Sequence, residues 1–202
     1  MKTITYPAQL LSAVFRPAFY PLVGFIILFT LTYLSLLPMF FKLLVLATVY
    51  LFTIALPYLL HLVTRKIYGW TRHDMSLQHR RSISYCINIA CYSCCMTLCQ
   101  SMRLPAIMNA ILMACLMVQC SCVIVNIWYK VSIRSAGTGL IIGMLMAYSL
   151  IFHFNPTWWL CGAILLSGAV MSSRMLLGHH SLGQVLSGTA IGIACGLMGI
   201  VL

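Results

Sequence analysis

Ser173-Arg174-Met175-Leu176-Leu177-Gly178-His179-His180-Ser181-Leu182-Gly183-Gln184 holds an arginine, two histidines and a glutamine within a run of twelve residues. The stretches on either side, Trp158–Met171 and Val185–Leu202, are almost wholly apolar. Charged and polar side chains are costly beside lipid tails, so a cluster set between two such runs marks a functional or water-lined site at a membrane boundary. That contrast decides the fold: apolar helices that cross a bilayer, joined by polar islands.

The rest of the chain repeats it. Its 202 residues are 62% hydrophobic and 6% charged, where a soluble domain carries roughly 25% charged residues. A hydrocarbon core of about 30 Å needs about 20 apolar residues per helix. Met1–Arg16 reads as an interfacial lead-in without the pattern of a cleavable signal peptide. Spans are predicted over Tyr20–Leu37, Phe40–Val63 with a kink at Pro57, Tyr85–Met102, Ala106–Ile127, Leu140–Phe154, Trp158–Met171 and Val185–Leu202. The expected fold is all-α: a polytopic transmembrane helical bundle of six to seven spans, forming a single membrane domain over 1–202. Residues 1–64 make the interfacial segment and two spans, and 65–202 a core with three polar loops on one face.

Those loops are Thr64–Ser84, Trp128–Gly139 and the stretch quoted above. Two spans separate each island from the next, so all three emerge on one membrane face and permit one composite site. Together they offer Arg72, Arg80, Arg81, Lys130, Arg134 and Arg174 as cations and His179 and His180 as imidazoles. Net charge is +11, with twelve Lys/Arg and one acid. The basic residues sit in short loops and not on a soluble face, which excludes nucleic acid as a partner and leaves anionic headgroups or an anionic substrate. Cys91, Cys95 and Cys99 share a helical face, and the ten cysteines read as small apolar fillers between helices. Without loop-placed pairs or accompanying histidines they make no metal site.

Guanidinium forks match phosphate oxygens, and an imidazole beside them can attack phosphorus to give a phospho-histidine. Arginines then stabilise the phosphoryl oxygens electrostatically. With Asp74 the one carboxylate, dinuclear metal hydrolysis and Ser-His-Asp chemistry lack their parts. His180 is expected in the first turn of a helix, with Gln184 four residues on and within reach of its ring.

Ser173-Arg174, five residues, His180, three residues, Gln184 resembles the third signature of the phosphatidic-acid phosphatase type 2 superfamily, S-R-x5-H-x3-D. The resemblance implies that Arg174 binds phosphate, His180 is the nucleophile and Gln184 orients it. Glutamine replaces the aspartate, as in the family's dolichyl-diphosphatase-like branch. Lys130-Val131-Ser132-Ile133-Arg134-Ser135-Ala136-Gly137 is similar to the second signature of some bacterial members, with Ser132 and Lys130 as phosphate ligands and Arg134 where the proton-donating histidine belongs. The first signature is matched loosely, through Arg72 or through Arg80 and Arg81. His179, His73 and His79 are candidates for the missing acid. A diphosphate expels a phosphate, a weaker base than an alkoxide, so Arg134 favours polyprenyl or other lipid diphosphates. The implied function is metal-independent hydrolysis of a lipid phosphate or diphosphate, with no cofactor, in a bacterial inner (cytoplasmic) membrane. The positive-inside rule points to a cytoplasmic site, and the family resemblance to the outer face. Rival readings are a catalytically impaired relative that binds lipid phosphates, and a transporter or membrane-assembly subunit.

Overall fold

The structure, a computed structural model, describes residues 19–67, 77–102, 104–153, 155–178 and 180–201, and for 31, 33, 65, 67 and 77–84 the backbone alone. The described residues form helices and turns. α1 is Tyr20–Leu31, α2 Met39–Tyr50, α3 Leu56–Ile67, α4 Leu77–Ser101, α5 Ala106–Trp128, α6 Ile133–Phe152, α7 Thr157–Leu176 and α8 Leu182–Val201.

Among the described residues, five helical runs are long and apolar enough to cross a membrane: Met39–Thr64, Ala106–Trp128, Ile133–Phe152, Thr157–Leu176 and Leu182–Val201. Their outward faces carry large bare apolar side chains, among them Phe40, Tyr58, Ile124, Leu165 and Leu186. Faces of that kind fit an integral membrane protein.

Two predicted spans take another form. The first, Tyr20–Leu37, is a helix of 12 residues that stops at Leu31, about 18 Å long and well short of the hydrocarbon core. Thr32 ends it in extended backbone and accepts the Leu34 N–H on its hydroxyl, which starts a 3₁₀ turn over Tyr33–Leu36. The third predicted span begins eight residues earlier than expected, because α4 starts at Leu77 inside the first polar island.

At Pro57 the chain makes a π turn over Leu51–Ala55 between α2 and α3. Proline lacks an N–H, and its ring presses on the carbonyl four residues back, that of Thr53. Widening the ladder there, with the Leu56 N–H on the Leu51 carbonyl, accommodates it within one helical run.

The second island is shorter than predicted, since Ile133–Gly139 is helix and not loop. Its hydroxyls are satisfied inside the helix: Ser135 Oγ donates to the Ser132 carbonyl (2.7 Å) and Thr138 Oγ1 to the Ser135 carbonyl (2.9 Å). The Ser135 and Thr138 hydroxyls therefore cost this helix no unpaired group. α7 likewise extends past its predicted end at Met171 and carries Ser172, Ser173 and Arg174 within the helix.

α6 is the centre of the bundle. Its most extensive partner is α8, and α5 and α7 flank it. Gly139 and Gly143 on α6 face the backbone of Thr189 and Ile193 on α8, while Gly188, Gly192 and Gly196 on α8 face the backbone of Ser132, Ala136 and Leu140. A β-carbon at these glycines would collide with main chain, so the two helices lie backbone to backbone. Lipid is as apolar as leucine, and such close approach is what makes membrane helices associate. Cys91, Cys95 and Cys99, predicted to share a face, are all buried, as are Cys115 and Cys122 of α5.

Candidate functional site

The α6–α8 seam ends at a cavity of about 280 Å³, lined by Tyr85, Asn126, Val131, Ser132, Ile133, Arg134, Arg174 and His180. Ser132 and Arg134 come from the second island, Arg174 and His180 from the third. α6 and α7 lie between those islands, and an antiparallel pair returns the chain to the end where it began.

Ser132 is the residue before α6 and is almost fully buried, at 1% exposure. A serine at this position usually caps the helix with its hydroxyl. Here the hydroxyl makes no cap and has no hydrogen-bond partner among the described residues. A buried unpaired hydroxyl costs about 1–3 kcal/mol, and this one sits in the wall of a polar cavity. It opens beside the amino end of α6, where first-turn N–H groups and the helix dipole favour an anion.

Arg134 is in the first turn of that helix. Its carbonyl accepts a hydrogen bond from Tyr20 Oη (2.8 Å), and the Tyr20 ring lies over Gly137. α1 thus clamps the start of α6 from outside. Arg174 lies in the last turn of α7, the end at which the helix dipole favours a cation. Just beyond, Gly178 adopts φ +64°, a left-handed conformation that suits glycine at a helix end. Its N–H donates to the Met175 carbonyl (2.9 Å), and the chain turns toward His180.

His180 lies two residues ahead of α8 and not in its first turn as predicted. Gln184 is where the two islands join. Its Oε1 lies 3.1 Å from His180 Nδ1 and 3.3 Å from the Ser181 backbone nitrogen. Its backbone carbonyl accepts the Ser132 N–H (3.2 Å). The Ser181 N–H can only donate, so the amide atom facing it is the oxygen. That oxygen also faces Nδ1, which therefore carries the ring proton and leaves the lone pair on Nε2. An amide at position 184 thus selects the tautomer that a nucleophilic imidazole needs. Gly183 and Gly188 let this junction close, since a β-carbon would lie 3.0 Å from Tyr129 Oη at the first and 2.7 Å from the Ser132 carbonyl oxygen at the second.

Of the predicted site residues, Ser132, Arg134, Arg174 and His180 therefore share one cavity, and Gln184 touches His180. Lys130 is exposed and is not among the lining residues. Arg80 and Arg81 lie on the backbone of α4, one to two turns before Tyr85, with side chains outside the described residues. Arg72, His73 and His179 also fall outside them, and for His79 only the backbone is described.

Tyr85 and Asn126 line the cavity without having been singled out from the sequence. Tyr85 directly follows the first island, and Asn126 is a lone amide four residues before Lys130. Both have the pattern of ordinary interfacial residues at span ends, which conceals them. Comparison with family models, with curated proteins and with solved structures gives no match to this chain, so the chemistry of the site rests on its own residues.

Proposed function

We propose that this chain is a membrane hydrolase that cleaves a lipid phosphate or a polyprenyl or other lipid diphosphate, without a metal, through a phospho-histidine at His180. The observation that carries the reading is the single cavity in which Ser132, Arg134, Arg174 and His180 meet, with the His180 tautomer set by Gln184. Two guanidinium groups, an unpaired hydroxyl and a helix amino end supply donors for phosphoryl oxygens. Nε2 supplies the electron pair that attacks phosphorus, and the arginines offset the charge that builds on the equatorial oxygens.

The proposal extends to topology. α4 would also cross the bilayer, because Tyr85 near its start shares the cavity with Arg134 and Arg174 while its far end turns into α5 at Leu104-Pro105. With α1 inserted beside Gly137, the bundle would have seven helical layers in a bacterial inner membrane, with all three islands at one surface. The signatures around Ser132 and Arg174 resemble those of the phosphatidic-acid phosphatase type 2 superfamily, and we propose descent from that group.

Purified protein given lipid monophosphates and diphosphates, with and without a chelator, is the test. Phosphate release that persists in chelator and falls at least about 1,000-fold in His180→Ala is expected, as for removal of other catalytic nucleophiles. Wild-type protein that releases phosphate from none of these lipids, or only with added metal, would sink the proposal.

A further inference from the structure

We infer that Tyr85 is the proton donor to the leaving oxygen in this cavity; the inference rests on His180 acting as the nucleophile. Expelling an alkoxide from a phosphate monoester needs a proton at the departing oxygen. Arg134 stands where a proton-donating histidine would serve, and a guanidinium does not give up its proton in proteins. Of the other side chains lining the cavity, Val131 and Ile133 are apolar, and Asn126 and Ser132 carry an amide and an alcohol, neither acidic near neutrality. His180 is committed at both nitrogens, Nδ1–H to Gln184 and Nε2 to phosphorus. Tyr85 contributes a phenol, a group that ordinarily ionises near pH of about 10. The phenolate it leaves shares the cavity with the Arg134 and Arg174 cations, which stabilise it.

The step balances. The Nε2 lone pair forms the N–P bond as the P–O bond to the leaving group breaks. The electron pair of that bond stays on the leaving oxygen, which takes the Tyr85 proton and departs as an alcohol. Water then attacks phosphorus, and the Tyr85 phenolate takes one of its protons. The N–P bond breaks with its electrons returning to Nε2, and phosphate is released. Tyr85 and His180 end as they began, so each turnover consumes one water.

The assignment separates substrates by leaving group. A lipid-tailed phosphate ester of an alkyl alcohol needs the proton. An ester of a nitrophenol with the same tail, or a lipid diphosphate, has a leaving group that departs without one. In the full-length protein, Tyr85→Phe should lower kcat on the alkyl ester by about 100-fold or more, the usual share of a general acid. On the aryl ester and the diphosphate it should stay within about threefold of wild type. Loss of a merely structural or phosphate-binding contact would lower all three alike, and that result overturns the inference.

An unchanged alkyl rate overturns it too, as does a wild type that cleaves the diphosphate but not the alkyl ester. A parallel His179→Ala variant that loses the alkyl ester selectively, with Tyr85→Phe unaffected, hands the role to His179. A wild type inactive on all three substrates refutes the nucleophile assignment itself, which is a different failure.

Discussion

α6 and α7 are each 20 residues long and each brings one arginine to the same cavity, yet they are held in opposite ways. Within the most apolar stretch of α6, 72% of residues are buried inside the protein; for α7 the share is 17%. In water the more apolar surface would be driven inward. In a bilayer lipid serves that surface as well as protein does, so burial depends on how closely backbones approach and on which polar groups pair. α6 has glycines that admit the α8 backbone. α7 has Gly162 and Gly168, which face nothing within 4 Å, and one buried hydroxyl pair to α6, Thr138 with Ser167 (3.1 Å). Ser132 and Arg134 therefore belong to the rigid half of the site, and Arg174 to an arm held by few interactions.

The most damaging way to challenge this contrast is to add a single methyl group to the seam. A β-carbon at Gly192 would strike the Ala136 carbonyl oxygen and lie 2.8 Å from the Leu140 nitrogen. Neither is the end of a flexible side chain, so the helices must separate. Gly192→Ala should cost about 2 kcal/mol or more, in the overpacking range and beyond the gain from replacing glycine in a helix. Parting α6 from α8 also strains the Ser132 N–H bond to Gln184, so phosphate release should fall with stability. Unfolding in a detergent titration reads the first effect. A variant as stable as wild type would mean that the α6–α8 seam does not hold the bundle.

A smaller effect is expected on the α7 side. Thr138 gives its hydroxyl proton to the Ser135 carbonyl, and Ser167 Oγ lies 3.1 Å from the Thr138 hydroxyl and 3.8 Å from Met171 Sδ; oxygen is the stronger acceptor, so Ser167 donates to Thr138. Thr138→Val keeps the shape and removes both bonds. Hydrogen bonds between membrane helices average about 0.6 kcal/mol and reach about 1.7 kcal/mol, and a loss in that range is expected. The consequence for function should fall on Arg174: KM for the lipid phosphate should rise several-fold, with Ser132 and His180 undisturbed. A double-mutant cycle with Ser167→Ala sharpens the point. If the two changes are additive, Ser167 is not what ties α7 to α6.

The two halves also differ in how far they could be read from sequence. Apolar runs and polar islands were plain from composition, and counting the spans between islands placed Arg134 and Arg174 at one end, where the cavity joins them. The ends of the helices were hidden, because Ser135 and Thr138 read as loop although their hydroxyls bond carbonyls three residues back. Polarity shows that a group needs a partner and not where that partner is. The same limit concealed Tyr85 and Asn126, since a polar residue at the end of a span looks alike whether it faces headgroups or a cavity. Gly188, Gly192 and Gly196 carry no polarity to single them out, and small residues four apart do not name the helix they face, so the α6–α8 seam was not legible. His180 and Gln184 were legible as a pair because four residues is a short distance in any turn or helix.

The slightest change is the most diagnostic for α7. Gly168 lies mid-helix with open space where a β-carbon would go, so Gly168→Ala meets no neighbour. Replacing glycine by alanine in a helix interior is worth up to about 1 kcal/mol through reduced freedom of the unfolded chain. With no collision to oppose it, the same substitution that damages α8 at Gly192 should raise the unfolding midpoint slightly here and leave phosphate release unchanged. A loss of stability at Gly168 would mean that something packs closely on this face of α7, a second copy of the chain or another membrane protein. Arg174 would then be held from outside the bundle as well as from α6, and cross-linking through the exposed Cys161, seven residues along the same helix, would capture whatever holds it.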